Sequence, residues 1–142
     1  MSRAESEIRA LMDARSEAIH MKDIDRLMAL YAPDVVYFDV VPPLRYAGAD
    51  ALHARFSHWF EGWEGPIRQQ IHDLTVLSSG DVAAAHMLIQ AGGTRKNGPE
   101  AGFWVRASNS CRRLGNRWLI THEHISLPVD LTTQRAATDL AP

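Results

Sequence analysis

Residues 30–43 read Leu-Tyr-Ala-Pro-Asp-Val-Val-Tyr-Phe-Asp-Val-Val-Pro-Pro, and this stretch decides the fold. Proline disfavours helix in the residue before it, so Pro33 stops the helix that carries Leu27, Leu30 and Tyr31. From Val35 to Val41 the chain is β-branched and aromatic, the composition of a strand, and Pro42-Pro43 ends it. Helix gives way to strand within a few residues, and the flanking elements say what kind of sheet that strand enters.

Upstream, Ser2 with Glu5 three residues later forms a capping box. Behind it Ile8, Leu11, Met12 and Ile19 recur at helical spacing, with Arg15 interrupting the apolar stripe. Lys22-Asp23 break that pattern, and Asp23 is placed to cap a short second helix. Downstream of Gly48, residues Leu52, Phe56, Trp59, Phe60 and Trp63 form one wide aromatic helix face, closed by Gly65-Pro66. Strands follow over residues 67–77, 82–91, 101–113 and 117–127, separated by Ser78-Ser79-Gly80-Asp81, by a loop over 92–99 and by Leu114-Gly115-Asn116. Consecutive strands on short turns make an antiparallel meander. Helices followed by such a sheet predict an α+β domain with the helices on one face.

The bulk numbers agree with one soluble domain. The chain has 142 residues, 46% hydrophobic and 23% charged, and no internal repeat. A net charge of −2 with scattered basic residues provides no footprint for nucleic acid or an anionic membrane. Arg112, Arg113 and Arg117 flank a turn and read as a solvated hairpin end. The single cysteine, Cys111, forms no intramolecular disulfide and suits a reducing cytoplasm, and no apolar run is long enough for a signal core or a membrane span. Periodicity fades after residue 130, which predicts a domain over 1–130 and a tail over 131–142, either mobile or reaching a partner subunit.

Asp23-Ile24-Asp25, the run from Leu30 to Val35, Gly48 at the start of the third helix and the ending Gly115-Asn116-Arg117-Trp118-Leu119-Ile120-Thr121-His122-Glu123-His124-Ile125-Ser126 occur in a telling order. Over residues 5–130 the chain resembles the SnoaL-like and ketosteroid-isomerase-like superfamily, also called nuclear-transport-factor-like, and its ending looks like that of a bacterial branch. The resemblance implies a cone-shaped α+β barrel, in which three N-terminal helices cover the concave face of a strongly curved, mostly antiparallel sheet. It also implies a small-molecule ligand in the cone and a homodimer through the outer sheet face. One such fold hosts many functions, so chemistry has to be argued from residues.

Asp39 is the first candidate, a carboxylate in an otherwise apolar strand. The resemblance places it at the catalytic base of ketosteroid isomerases. Walled by apolar groups, it would abstract a proton next to a carbonyl or activate a water. Its other reading is a carboxylate bonded to a strand-end amide or paired with an arginine. Where those isomerases have a first-helix tyrosine this chain has Arg15, and near their later acid it has Ser108 or, by a register shift, Arg106. Neither replaces a neutral acid donor, so the departure points away from steroid isomerisation and toward a polar or anionic substrate. Arg15 and Arg106 would hold a carboxylate or enolate by charge-assisted bonds. Alternatively Arg15 snorkels out of its stripe and Arg106 pairs with Asp39.

His122 and His124 stand two apart on the last strand and share a face, grouped by strict alternation with Trp118, Ile120 and Ser126, while Glu123 points away with Leu119, Thr121 and Ile125. Such a pair supplies acid–base groups near neutral pH, two corners of a metal site completed by Asp39 or His86, or structural hydrogen bonds. No complete ligand spacing is visible, so no metal is expected. Tyr37 shares a face with Asp39, and Trp59, Trp63 and Trp104 offer aromatic walls or simply core, with Trp104 beside Arg106. Cys111 has no motif for nucleophilic work and reads as structural. The leading expectation is a cofactor-independent isomerase, cyclase or lyase with Asp39 as base, His122 or His124 as its partner and Arg106 as stabiliser. Beside it stand a non-catalytic ligand-binding protein and a dimerisation or association module.

Overall fold

Ser2 caps the first helix as its sequence directs, its hydroxyl accepting the Glu5 amide at 3.1 Å. In the computed structural model, which describes residues 1–142, this helix is α1 (Arg3–His20). Asp23 then caps α2 (Ile24–Met28) through the Arg26 amide at 3.2 Å. This second helix is shorter than its apolar spacing suggests. Tyr31 belongs to β1 (Tyr31–Phe38), where it pairs with the last long strand and packs its ring 5.6 Å from Phe56, burial that outweighs local helix preference. Pro33 has no N–H for a ladder, and it sits exposed at an irregularity of β1 between Tyr31 and Val36.

A two-residue β2 (Tyr46–Ala47) leads into α3 (Ala49–Glu61). Two helices therefore precede the first strand and the third follows it. The remaining chain forms β3 (Trp63–Ser79), β4 (Val82–Arg95), β5 (Glu100–Leu114) and β6 (Arg117–Ser126). Helix α3 ends at Gly62, and Gly65-Pro66 lies inside β3 at a register shift between Glu64 and Arg68. The six strands order as β2-β1-β6-β5-β4-β3, antiparallel throughout except for the β1–β6 pair.

Bulges bend strands and sharpen twist, and this sheet has several: at residues 64–68 and 72–75 of β3, and opposite Ser110–Cys111 of β5. Asp73 takes a φ of 56° at the second of them. The result is an α+β cone whose concave side receives the apolar faces of α1 and α3, through Ile8, Met12 and Ile19 on one and Leu52, Phe56 and Phe60 on the other. Strand β3 ends the sheet, and a bare edge invites unwanted pairing. Helix α1 and the turn after it cover that edge with donors: Arg9 bonds the Leu74 carbonyl at 3.1 Å, His20 that of Ile67 at 3.1 Å and Lys22 that of Trp63 at 2.9 Å.

The final residues fold back on the same chain. A small hairpin of β7 (Val129–Asp130) and β8 (Arg135–Ala136) straddles the boundary expected at residue 130. Leu140, Ala141 and Pro142 then return to the outer sheet face beside Leu88, Trp104 and Arg106. No helix is long and apolar enough to cross a membrane.

Candidate functional site

The cone encloses a cavity of about 70 Å³. Its walls are Phe56 and Trp59 of α3, Ile89 and Ala91 of β4, Phe103 and Val105 of β5 and Ile125 of β6. Alternation along each strand explains the set, because these are the residues whose Cβ atoms point to the concave side. Five polar side chains interrupt the apolar lining: Arg15, Tyr37, Asp39, Arg55 and Gln69.

Arg15 does not snorkel. It is 4% exposed and points into the floor of the cone, where Glu123 is fully buried against it. The Arg15 Nε donates to Glu123 Oε1 at 3.0 Å and Nη2 lies 3.0 Å from the same oxygen, while Nη1 reaches Gln69 Oε1 at 3.4 Å. The Tyr31 hydroxyl donates to Glu123 Oε1 at 2.7 Å, and Asn109 Nδ2 donates to Oε2 at 3.2 Å. Both carboxylate oxygens are thus satisfied, as a buried charge requires. Burial works against the Arg15 charge, but Glu123 together with Tyr31 and Tyr37 outweighs it and raises the guanidinium pKa. Tyr37 rests its ring edge-on against Phe56, centroids 5.4 Å apart, with its hydroxyl toward the cavity and no protein partner.

At the mouth, Asp39 accepts from Arg55 Nε at 2.8 Å through Oδ2 and from the Val40 amide at 2.6 Å through Oδ1. Its side chain is 9% exposed. A strand-end amide and an arginine are the two structural partners its position suggested, but the arginine is Arg55 and not Arg106. Every charge at the cavity therefore has an opposite charge against it, Arg15 with Glu123 and Arg55 with Asp39, so the enclosed space is polar at both ends and neutral overall.

Residues 8–130 match the SnoaL-like domain family. The chain belongs to the SnoaL-like family. No curated protein matches it. Among solved structures it is similar to an NTF2-like protein of unknown function from Pseudomonas putida KT2440, at 37% identity over 98% of this chain and 96% of that one, with a TM-score of 0.90. A Streptomyces avermitilis protein of the NTF2-like family, provisionally described as a dehydratase, shares 20% identity over 89% and 97% of the two chains at a TM-score of 0.78. A Xanthomonas campestris protein, provisionally described as a calcium/calmodulin-dependent protein kinase II association domain, shares 25% identity over 84% of each chain at a TM-score of 0.75.

Within this SnoaL-like cone the expected residues divide. Tyr37, Asp39, Trp59 and Arg15 meet at the cavity. Trp63 is buried beside the mouth as core. Arg106 and Trp104 do not join them. The inward row of β5 is Phe103, Val105, Ala107, Asn109 and Cys111, so Arg106 is exposed on the outer face and bonds Ser126 Oγ at 3.0 Å. Trp104 lies on that face too, its ring 4.7 Å from His72. His122 and His124 also turn outward. The extra residue Thr121 shifts the register of β6, so Trp118 and Ile120 point inward before it and Glu123 and Ile125 after it. His122 bonds the Val36 carbonyl at 2.7 Å, and Phe38 packs edge-on against both histidines. His124 shares with Asp39 only the open groove beside residues 40–45. No group of three or more His, Cys, Asp or Glu side chains is assembled to hold a metal ion.

Sequence reasoning passed over Arg55, Gln69 and Asn109, and it turned Glu123 away from the site into which it is in fact buried. Asn109 was legible from the alternation of β5, whereas Arg55 meets Asp39 across 16 residues with no local signal. The floor also predicts an alkaline response. Burial, then Glu123, pushes the Cys111 thiol up to about 12 and holds the Tyr31 and Tyr37 phenols well above their ordinary range. In the unfolded chain these groups ionise near 9–10 while the folded ones keep their protons. Stability is then complete below about pH 9 and is lost as pH rises from there toward 12. In native protein at pH 8, Cys111 should resist iodoacetamide, and on further alkaline titration Tyr31 and Tyr37 should give no tyrosinate absorbance before unfolding. Rapid alkylation without unfolding would contradict this picture.

Proposed function

We propose that this SnoaL-like chain binds a small carbonyl compound in its cone and acts on it without a cofactor, as an isomerase, cyclase or lyase with Asp39 as the general base. The observation that supports this reading is the placement of polar groups in the apolar cavity. Asp39 stands at the mouth and Arg15 at the floor, and the unpartnered Tyr37 hydroxyl, two residues before Asp39 in the chain, lines the space with them. A carbonyl oxygen taking hydrogen bonds from Tyr37 and Arg15 would leave its adjacent carbon facing the carboxylate, the arrangement that proton abstraction needs. Arg55 and the Val40 amide fix the Asp39 carboxylate, which still has free lone pairs. Self-association through the outer sheet face, where Leu88 and Trp104 lie, belongs to the same proposal.

Proton abstraction is read directly as hydrogen–deuterium exchange next to the carbonyl. In heavy water with a panel of small ketones, the protein should catalyse exchange detectable by NMR, and Asp39→Asn should slow it about a hundred-fold while circular dichroism stays unchanged. A second reading is favoured by the Asp39–Arg55 ion pair itself: the carboxylate is structural and the cone only binds. In that case ketones raise the melting temperature but exchange never appears, in wild type or variant. An association module gives neither signal.

A further inference from the structure

The enclosed cavity is too small for a whole metabolite, and the space that continues it has a different charge. Pockets that take entire small molecules run to about 300–1,000 Å³, against about 70 Å³ here. Val40, Arg55, Trp59 and Phe103 line that cavity and also an open vestibule of about 710 Å³, so the two spaces adjoin at these four side chains, two of them aromatic. The enclosed part is neutral, because its charges are paired. The vestibule is not. Arg55 is engaged by Asp39, and Glu100 by Arg68 at 3.7 Å, but Arg95 has no carboxylate partner. Its guanidinium is held 5.5 Å over the ring of the buried Trp63, so the charge is anchored at the vestibule wall.

From this division we infer that the ligand is an elongated molecule with three parts: an uncharged carbonyl head in the enclosed cavity, an apolar middle between Trp59 and Phe103, and an anionic group in the vestibule against Arg95. The inference rests on the cavity reading given above and adds the second subsite and the class of ligand. A charged head would enter a space whose own charges are already balanced and would lose its hydration without a free counter-charge. An anion at the other end meets an unpaired cation and stays partly solvated, so it gains attraction at small desolvation cost.

Benzylacetone and its para-carboxylate are suitable probes, since both present an acetyl head and an aromatic ring and only one has the distal charge. By isothermal titration calorimetry at low salt, the carboxylate should bind about five-fold more tightly than benzylacetone, an advantage that shrinks as salt is added. Arg95→Gln should erase that advantage and leave benzylacetone binding as it was. For both probes, the acetyl methyl should show intermolecular nuclear Overhauser contacts to the Ile89 and Ile125 methyls. Equal affinities of the two probes, or a preference that survives Arg95→Gln, would overturn the anionic subsite while leaving the cavity reading standing. Absence of binding by either probe, or binding without the isoleucine contacts, would overturn both.

Discussion

Glu123→Gln should cost the fold about 3–5 kcal/mol, because it strips the counter-charge from a buried arginine while leaving the volume unchanged. Glu123 is fully buried and Arg15 4% exposed, so water cannot take over the lost partner. Against a total stability of about 5–15 kcal/mol for an ordinary domain, that is a large share. Urea unfolding followed by circular dichroism would show it as a lower midpoint at unchanged slope. Arg15→Met should do comparable damage from the other side, leaving Glu123 charged with only Tyr31 and Asn109 as donors. The double variant Arg15→Met with Glu123→Gln is the discriminating experiment. It removes both charges together and should lose less than the sum of the singles, the excess measuring their coupling. Additive losses, or a Glu123→Gln midpoint indistinguishable from wild type, would mean that the pair is not what organises the floor of the cone. The same variants bear on function, since Arg15 lines the cavity only as long as Glu123 holds its guanidinium there.

That pair also marks the limit of what the sequence discloses. Caps, turns and the apolar face of α3 are local signals, and Ser2, Asp23, Gly115 and the Leu52–Phe56–Phe60 series did what their chemistry dictates. Tyr37 lies in the last turn-free stretch of β1 and Asp39 directly follows the strand's final residue, Phe38, so their shared direction was readable. The outward turn of Arg106 was readable too, because the apolar partners Val105 and Ala107 flank it on the opposite face. Strand β6 is different. A single extra residue reverses every side chain beyond it, and the Thr121 bulge, where its Oγ1 donates to the Ser110 carbonyl at 3.1 Å, reverses His122 to Ser126. The apolar spacing breaks phase there, from Trp118 and Ile120 to Ile125, which was the one visible trace. A glutamate flanked by two histidines otherwise resembles an exposed edge, and what buries it is an arginine 108 residues away.

A second large loss is expected where the sheet leaves no room for a methyl group. Gly92 of β4 faces Gly102 of β5 across the ladder, and the Arg68 guanidinium from β3 lies in the slot between them. A Cβ at Gly92 would collide with the Ala101 carbonyl oxygen on the neighbouring strand and come within 2.5 Å of Arg68 Nη2. Arg68 can move, but the backbone oxygen belongs to the ladder and cannot without parting β4 from β5. Gly92→Ala should therefore cost about 3 kcal/mol, the upper end of ordinary overpacking. Gly102→Ala is the internal control: its Cβ would meet Arg68 Nη2 at 3.0 Å, the far end of a flexible side chain, and the Ala91 carbonyl oxygen at an ordinary 3.8 Å, and should cost less than about 1 kcal/mol. Adding Arg68→Ala to each separates the causes. It should relieve Gly102→Ala and leave most of the Gly92→Ala loss in place, and full rescue of Gly92→Ala would refute the backbone explanation. The consequence reaches the candidate site directly. Phe103, one residue beyond Gly102, lines both cavity and vestibule, so any Gly92→Ala protein that does fold should have weaker binding of both probe ketones even though residue 92 touches neither space.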